Sequence, residues 1–304
     1  MNRATTIDEQ ITLLRSRGMI ISDEEKAKEV LADIGYFRLC TYFFPFEQTY
    51  PKVHHRTHQY KHGTKFEDGV ALYYFDVDMR RIMQKYLARI EVAIRTAIVY
   101  EISNFYQTNP TWFVDAALVD KSHIKYFKEN VYTFKFRNDH PVIRRHHQHH
   151  KKDAYAPAWK TLEYMTFGTV LNLFNSIISV DARRLVTQRF GINHPSLFAN
   201  YFTHICTARN ICAHGSALFD VRLSTAIIDG PAGLVSKSGD KQNLQGIFTI
   251  VHYVLTQISQ NRAAEFREEI WQLFNDLRAY NPDLYAQISQ ISGYKEEKFK
   301  KSAK

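Results

Sequence analysis

The longest uninterrupted helical pattern places the strongest constraint on the fold. Residues 67–107 contain no proline and one glycine, Gly69, near the start. Apolar residues recur three or four positions apart, at Met79, Ile82, Met83, Tyr86, Ile90, Ala93, Ile94, Ala97 and Ile98. This spacing puts them on one face of an α-helix, and that face must be buried. We therefore predict one long helix, which begins at a capping box of Thr64 and Glu67.

A second strong helical pattern runs from Pro195 to Gly215. Proline is favoured at the first helical position, and glycine readily takes the positive φ that ends a helix. Between them lies one apolar stripe, formed by Leu197, Tyr201, Ile205, Ala208 and Cys212. The pattern predicts an amphipathic helix that spans the whole segment.

The rest of the chain predicts shorter helices and no strand, so the expected fold class is all-α. The shorter helices are expected at 6–18 with a Thr6–Glu9 capping box, 22–35 with a Ser22–Glu25 box, 36–44, 112–137, 157–179 interrupted by Gly168, 181–191 capped by Asp181, 247–259 and 262–280. We expect an N-terminal helical region with a basic loop over 1–64, a helical domain over 65–294 and a basic, frayed tail over 295–304.

Composition limits the kinds of partner. The chain has 304 residues, of which 45% are hydrophobic, and this content excludes a disordered protein. Its formal net charge of +9 favours nucleic acid or acidic surfaces as partners. Three cysteines do not suggest a disulfide framework. No apolar run is long enough to span a membrane, and the N-terminus lacks the apolar core of a signal peptide. We therefore expect a cytoplasmic protein with no membrane contact.

Two connections are rich in histidine and basic residues. His54, His58 and His62 keep a spacing of four, but no cysteine or carboxylate accompanies them, so we expect no metal site. The run RRHHQHHKK (144–152) shows no apolar periodicity and predicts a solvated basic segment. Such a segment suits contacts to a phosphate backbone that do not read sequence. The candidates for this RNA contact are Arg144, Arg145, Lys151 and Lys152. The loop 229–246 is expected to be flexible.

The candidate catalytic residues lie at the end of the second helix. A histidine follows an arginine by five positions four times in the chain, and only Arg209 and His214 end an amphipathic helix. Asn210 lies one turn before His214, where its amide is placed to orient the imidazole. Arg209 lies roughly 140° around the helix from His214, so a partner subunit is expected to complete the site. The simpler interpretation is a helix-end arginine and a histidine that interacts with the helix dipole.

Glu91 and Arg95 lie one turn apart on the long helix. The simpler interpretation is an ion pair on the helix surface. The alternative is a pair that faces the Arg209 helix and supports its functional side chains.

Several segments, in this order, resemble the Abi-like abortive-infection proteins of bacteria. They are RGMIISDEEKAKEVLADIGYFRLCTYFFPF, FEDGVALYYFDVDMRRIM, IEVAIR, PAWKTLEYMTFGTV and ARNICAHGSALFD, and they span roughly residues 10–220. That family is similar to the HEPN superfamily of helical ribonucleases. Its motif is an arginine, usually a polar residue next, and a histidine four to six positions beyond the arginine. Here the motif falls on Arg209, Asn210 and His214.

The resemblance implies a HEPN-like helical bundle with an N-terminal helical extension. It implies a metal-independent endoribonuclease of phage defence, which acts by 2′-OH transesterification and needs no cofactor. The reaction needs a base and an acid, and one chain supplies one imidazole, so we expect a symmetric homodimer with Arg209 and His214 of both chains facing one cleft. The expected partners are substrate RNA and a structured inhibitory RNA, with no specificity for DNA; a protein antitoxin belongs to the alternative that follows. The alternative is a non-catalytic RNA-binding module or toxin component, in which Arg209 and His214 only bind phosphate. A metal-dependent hydrolase that uses the histidine-rich loops has no carboxylate–histidine cluster to support it.

Overall fold

The computed structural model describes residues 3–234 and 239–299. Within these ranges it contains fourteen α-helices and no β-strand, which confirms the all-α fold class. The helices are α1 (Ile7–Ser16), α2 (Glu24–Ile34), α3 (Tyr36–Phe43), α4 (Phe66–Phe105), α5 (Lys121–Tyr126), α6 (Phe134–Asp139), α7 (Pro141–His149), α8 (Ala158–Thr161), α9 (Phe167–Ser176), α10 (Val180–Gln188), α11 (Pro195–His214), α12 (Leu244–Ile258), α13 (Gln260–Tyr280) and α14 (Pro282–Ser292).

The long helix α4 forms the centre of the bundle. It packs against α3, α10, α11, α12 and α13, and its 40 residues cross the whole core. Most of the predicted apolar stripe is buried, with Ile82 and Ala93 half-buried at its edges. The prediction of one long helix is therefore confirmed, and burial of this stripe is the main hydrophobic contribution of α4.

Helix α11 has the predicted bounds. It begins at Pro195 and ends at His214, and Gly215 follows with φ +68°, in the left-handed conformation expected of a C-terminal glycine. Four of the five residues of the predicted stripe are buried, and Leu197 is half-buried. The helix lies against α4, α9, α10 and α12, so its last turn is positioned by the core.

Three predicted helix starts are wrong by one or two residues. Asp23 caps α2 instead of Ser22, and Ser179 caps α10 instead of Asp181, each by accepting a hydrogen bond from the third residue after it. At α4 the Thr64 hydroxyl donates to the carbonyl of Lys61 over 2.7 Å. The cap moves to Lys65, whose N–H donates to the Asp68 carboxylate over 3.2 Å. Neighbouring polar residues compete for the cap, and spacing alone does not decide between them.

Two predicted helices are broken into shorter pieces. The segment 112–137 contains a turn at 112–114, helix α5, a π-helical turn at 127–131 and helix α6. Asp120 and Thr133 cap α5 and α6, and such local side-chain bonds restart the helix each time. The segment 157–179 breaks at Met165, where Thr166 accepts the N–H of Thr169 and starts α9. Gly168 is not the break.

The basic run at 144–152 is helical as far as His149 and mostly exposed, as predicted, with His146 as its buried exception. Helix α7 buries Ile143 and His146, which are three positions apart on one face. The sequence interpretation missed this pair because one of its two members is a histidine. The candidate RNA-contacting residues Arg144, Arg145, Lys151 and Lys152 are all exposed.

The C-terminal region is more ordered than predicted. Helix α14 was not predicted. The tail predicted to fray from Lys295 is ordered up to Phe299, which packs against the core and is 4% exposed. Residues 300–304 lie outside the described residues, as do 235–238 of the loop predicted to be flexible. The core of buried apolar residues runs without interruption from Ile11 to Phe299, and the proposed division at 64 and 294 remains a prediction.

Among the described residues, no helix combines the length and the apolar character needed to cross a bilayer.

The close contact of α3 with α4 depends on Gly69. A Cβ atom at this position would lie 2.2 Å from Cδ1 of Phe43, whose ring is completely buried. We expect Gly69→Ala to destabilise the fold by about 1–3 kcal/mol, because the overpacked ring has no room to move. Gly168→Ala is the matched control, since a Cβ there meets nothing within 4 Å. We expect this control to stabilise α9 by about 0.5–1 kcal/mol. Urea unfolding measures both; a neutral Gly69→Ala would contradict the packing.

The half-buried His252 predicts that stability falls in mild acid. Burial lowers the pKa of His252 from 6.5 to about 4, and Arg267 contributes to the same shift. The unfolded chain therefore binds a proton below about pH 6.5 that the native chain does not, and stability is lost as the pH falls. We expect the melting temperature to drop between about pH 7 and pH 5, and His252→Gln to reduce this drop. The exposed His149→Gln is the control; equal drops in both variants would contradict the assignment.

Candidate functional site

Arg209 is held in place on the last turns of α11. Its Nε donates to Oε2 of Glu91 over 3.1 Å, and its Nη1 donates to Oδ1 of Asn210 over 3.1 Å. The Arg209 side chain is 33% exposed. A guanidinium has five N–H donors, so those not used in these two bonds remain available to a ligand.

Glu91 links α4 to two arginines. Its Oε1 accepts a hydrogen bond from Nη2 of Arg95 over 3.0 Å, while its Oε2 faces Arg209. The Arg95 Nη2 also donates to the carbonyl of Met165 over 3.0 Å. The side chains of Glu91 and Arg95 are 14% and 10% exposed, so this is not the surface ion pair of the simpler interpretation. The pair faces α11 and fixes the guanidinium of Arg209.

Asn210 does not orient His214 in the single chain. Its Oδ1 accepts from Arg209, and its Nδ2 points to the Sγ of Cys206 at 3.9 Å. Within the described residues, no hydrogen bond joins Asn210 to His214. The amide instead helps to fix the arginine.

His214 is the last residue of α11 and is exposed. In the described part of the chain its ring makes no hydrogen bond. Thr203, Thr207 and Asn210 are also exposed and lie three or four positions apart before it. The four residues form a polar strip along the outer face of α11 that ends at the imidazole.

A buried carboxylate anchors the chain just after His214. Both oxygens of Asp76, which is completely buried on α4, accept hydrogen bonds from the backbone N–H of Leu218, and Oδ1 also accepts from that of Phe219 over 2.8 Å. The Tyr42 hydroxyl donates to Oδ2 over 2.9 Å, and the Arg80 guanidinium pairs with the same oxygen. Burial raises the pKa of Asp76, and Arg80 and the other donors oppose this. Because every partner donates, we assign the carboxylate as ionised.

Two arginines hold the backbone between His214 and this anchor. Arg80 donates to the carbonyl of Ser216 over 3.3 Å, and Arg38 of α3 donates to the carbonyl of Gly215 over 3.1 Å. The end of a helix leaves carbonyl groups without helical partners, and these side chains satisfy two carbonyls just beyond α11. The position of His214 is therefore fixed through the backbone on its C-terminal side.

Neither cysteine of α11 is equipped as a nucleophile. Burial raises the pKa of Cys212 to about 12, with the charge of Asp76 adding to the shift, and burial also raises the pKa of Cys206. Both thiols are protonated near neutral pH, and only a thiolate is a good nucleophile.

The other predicted site residues lie elsewhere. Arg144 and Lys151 line one cavity beside α6 and α7, and Arg145 and Lys152 do not contribute to its lining. Among the described residues, no group of three or more histidine, cysteine, aspartate or glutamate side chains is arranged to hold a metal ion.

Comparison with known proteins establishes the family. Residues 29–220 match the model of the family described as Abi-like protein, which covers more than half of the chain. The chain belongs to the Abi-like family. No curated protein and no solved structure matches it. Membership of the Abi-like family supports a role in abortive infection.

All the polar contacts around the end of α11 lie within the matched range of this Abi-like protein. The segments that carry the resemblance are distant in sequence and meet here: Glu91 contacts Arg209, Arg95 contacts Met165, and Asp76 contacts Leu218 and Phe219.

Sequence reasoning missed the anchor formed by Asp76, Arg80 and Tyr42. The sequence did contain one signal of this anchor: Asp76 and Arg80 lie one turn apart among the apolar residues of the long helix. A charged pair on that face needs partners in the core. The partners themselves, backbone groups more than 130 residues away, have no sequence signature.

We expect Asp76→Asn to destabilise this Abi-like protein by about 3–5 kcal/mol, because it leaves Arg80 as an unpaired charge in the core. Asp78→Asn is the control on the same helix: Asp78 is exposed, and its ion pair with Arg81 is worth about 1 kcal/mol or less. Chemical denaturation of both variants measures the difference. Equal stabilities would show that the buried pair does not anchor the end of α11.

Proposed function

We propose that this protein is a metal-independent endoribonuclease whose reactive groups are Arg209 and His214. The observation that carries the proposal is the arrangement at the end of α11. The half-buried Glu91 carboxylate fixes the Arg209 guanidinium and leaves some of its N–H donors available, and the exposed His214 imidazole follows at the end of the same helix. An arginine that can bind phosphate and a histidine that can transfer protons are the groups that RNA cleavage needs.

The proposed reaction uses the 2′-hydroxyl of the RNA as nucleophile. A base removes the 2′-OH proton, and O2′ forms a bond to the adjacent phosphorus. The bond from phosphorus to the 5′-oxygen breaks, and an acid gives that oxygen a proton. Arg209 stabilises the extra negative charge on the phosphoryl oxygens of the transition state. The products are a 2′,3′-cyclic phosphate and a 5′-hydroxyl, with no net change in protons or electrons.

The two proton transfers favour a homodimer as the active form. One chain supplies one imidazole at this site, and the reaction needs a base and an acid. The polar strip from Thr203 to His214 is exposed on the outer face of α11. If two copies pair around a two-fold axis that passes beside His214 at the end of this strip, the two imidazoles lie on either side of the axis and reach one cleft.

A non-catalytic RNA-binding module is the second candidate. It is favoured by the lack of any hydrogen bond that orients the His214 ring within the described residues of one chain. Both candidates fit a protein of abortive infection. In the first, cleavage of cellular RNA stops growth and with it phage production; in the second, binding alone blocks the RNA.

Cleavage of total RNA in excess EDTA separates the two candidates. We expect the wild type to cut, and His214→Ala to lower the rate by about 10²–10⁴-fold without loss of RNA affinity, because it removes proton transfer. We expect Arg209→Ala to lower the rate by about 10²–10³-fold, since it removes the charge stabilisation. End mapping must find cyclic phosphates.

His194→Ala is the matched control for His214→Ala. His194 is exposed at the opposite end of the same helix, and its side chain makes no capping hydrogen bond. It also follows an arginine, Arg189, by five positions. Protein washed free of bound RNA by high salt is used throughout. Cutting by His214→Ala at the rate of His194→Ala, or no cutting by the wild type, would contradict catalysis by this pair.

A further inference from the structure

A cavity of about 420 Å³ lies beside α6 and α7, on elements that contribute nothing to the arrangement around Arg209. Phe134, Arg137, Arg144, His147 and Lys151 are among the residues that line it. Its volume is within the range of pockets that bind small ligands, about 300–1,000 Å³. No aspartate or glutamate contributes to the lining.

Three cations converge on this cavity without a carboxylate to balance them. Within the described ranges, Arg137, Arg144 and Lys151 form no ion pair. Some exposed arginines elsewhere do pair, such as Arg184 with Asp181 over 3.2 Å and Arg262 with Glu265 over 2.6 Å. Like charges that face one cavity repel one another, and a bound anion removes this repulsion. The charge pattern therefore favours an anionic ligand.

An exposed aromatic ring stands at the edge of the same cavity. Phe134 is 76% exposed at the first position of α6, where burial would be the norm for so large an apolar side chain. The turn that presents it is fixed, because the Thr133 hydroxyl accepts the N–H of Phe136 over 3.2 Å. An exposed ring beside unpaired cations suits a ligand with both a flat base and a phosphate.

The walls of the cavity are held by hydrogen bonds. The Tyr132 hydroxyl, on a side chain 6% exposed, bonds to Nε2 of His147 over 2.9 Å and accepts the N–H of Ala156 over 2.8 Å. Nη1 of Arg144 donates to the carbonyl of Asn138 over 3.0 Å, which holds this arginine across the corner between α6 and α7. The cavity is therefore formed before any ligand arrives, which lowers the entropic cost of binding.

We propose that this cavity binds one nucleotide of a single-stranded RNA, with the base against Phe134 and the phosphate among Arg137, Arg144 and Lys151. The choice of RNA over another polyanion rests on the proposed function, while the cavity itself does not depend on catalysis at α11. The cavity would give the enzyme a second binding site for its RNA substrate, away from the bond that is cleaved.

The test is the affinity for a labelled single-stranded RNA of about 12 nucleotides, measured by fluorescence anisotropy. All variants are made in His214→Ala protein, so the RNA stays intact. We expect Phe134→Ala to weaken binding by about 5- to 100-fold and Phe134→Trp to restore it, because stacking needs only an aromatic face. We expect Arg137→Gln with Lys151→Gln to weaken binding and to lower the slope of log K against log salt by about 1.4.

The charge-matched control is Arg184→Gln with Arg262→Gln, which removes two exposed arginines that are already paired. Equal affinities of the cavity double variant and this control would overturn the proposal, as would the absence of RNA binding by the His214→Ala parent. If the cavity variants lose affinity and the wild type does not cleave RNA, RNA binding at the cavity is supported and the proposed ribonuclease activity is contradicted. If the wild type cleaves RNA and the cavity variants keep their affinity, the ribonuclease activity is supported and RNA binding at the cavity is contradicted.

Discussion

The attachment of the end of α11 to α4 by two carboxylates is the constraint on which the rest of the site depends. Glu91 fixes the Arg209 guanidinium, and Asp76 receives the backbone of Leu218 and Phe219. Their fifteen-residue separation corresponds to about 22 Å along α4. One rigid helix thereby fixes the chain before and after His214. Because the core holds α4 along its length, the relative positions of these two attachments cannot drift independently.

For the proposed binding of phosphate, this arrangement has a cost and a compensating benefit. The negative charge of Glu91 would oppose that of an incoming phosphate, and Glu91 occupies one edge of the Arg209 guanidinium. The same contact removes the rotamer freedom that a long arginine side chain otherwise loses on binding. Arg95 offsets part of the negative charge of Glu91, since both arginines share the one carboxylate. In the proposed reaction, a donor that is already fixed in position stabilises the developing charge without having to be ordered first.

The periodic spacing of apolar residues made α4 and α11 predictable from the sequence. The shorter helices were harder to predict, because neighbouring polar side chains compete to cap them. The stripe from Met79 to Ile98 determines the face that α4 buries, and Pro195 and Gly215 mark the ends of α11. Where several polar side chains are adjacent, as at Thr64, the observed N-cap lies one or two residues from the predicted one. The sequence marks Gly168 as the interruption of a helix, whereas the glycine that another helix approaches closely is Gly69, and a sequence does not distinguish the two. The Arg209 and His214 motif was visible, whereas its long-range partner Asp76 required the fold.

The cleavage rate of subunit-exchanged mixtures of wild type and His214→Ala tests directly whether two copies share one catalytic site. The proposed site needs an imidazole from each of two copies, so only dimers with two wild-type chains are active. At equal amounts of the two chains and the same total protein, a shared site gives about a quarter of the all-wild-type rate. A rate of about half would mean that each chain acts alone, and it would contradict a site shared across the two-fold axis.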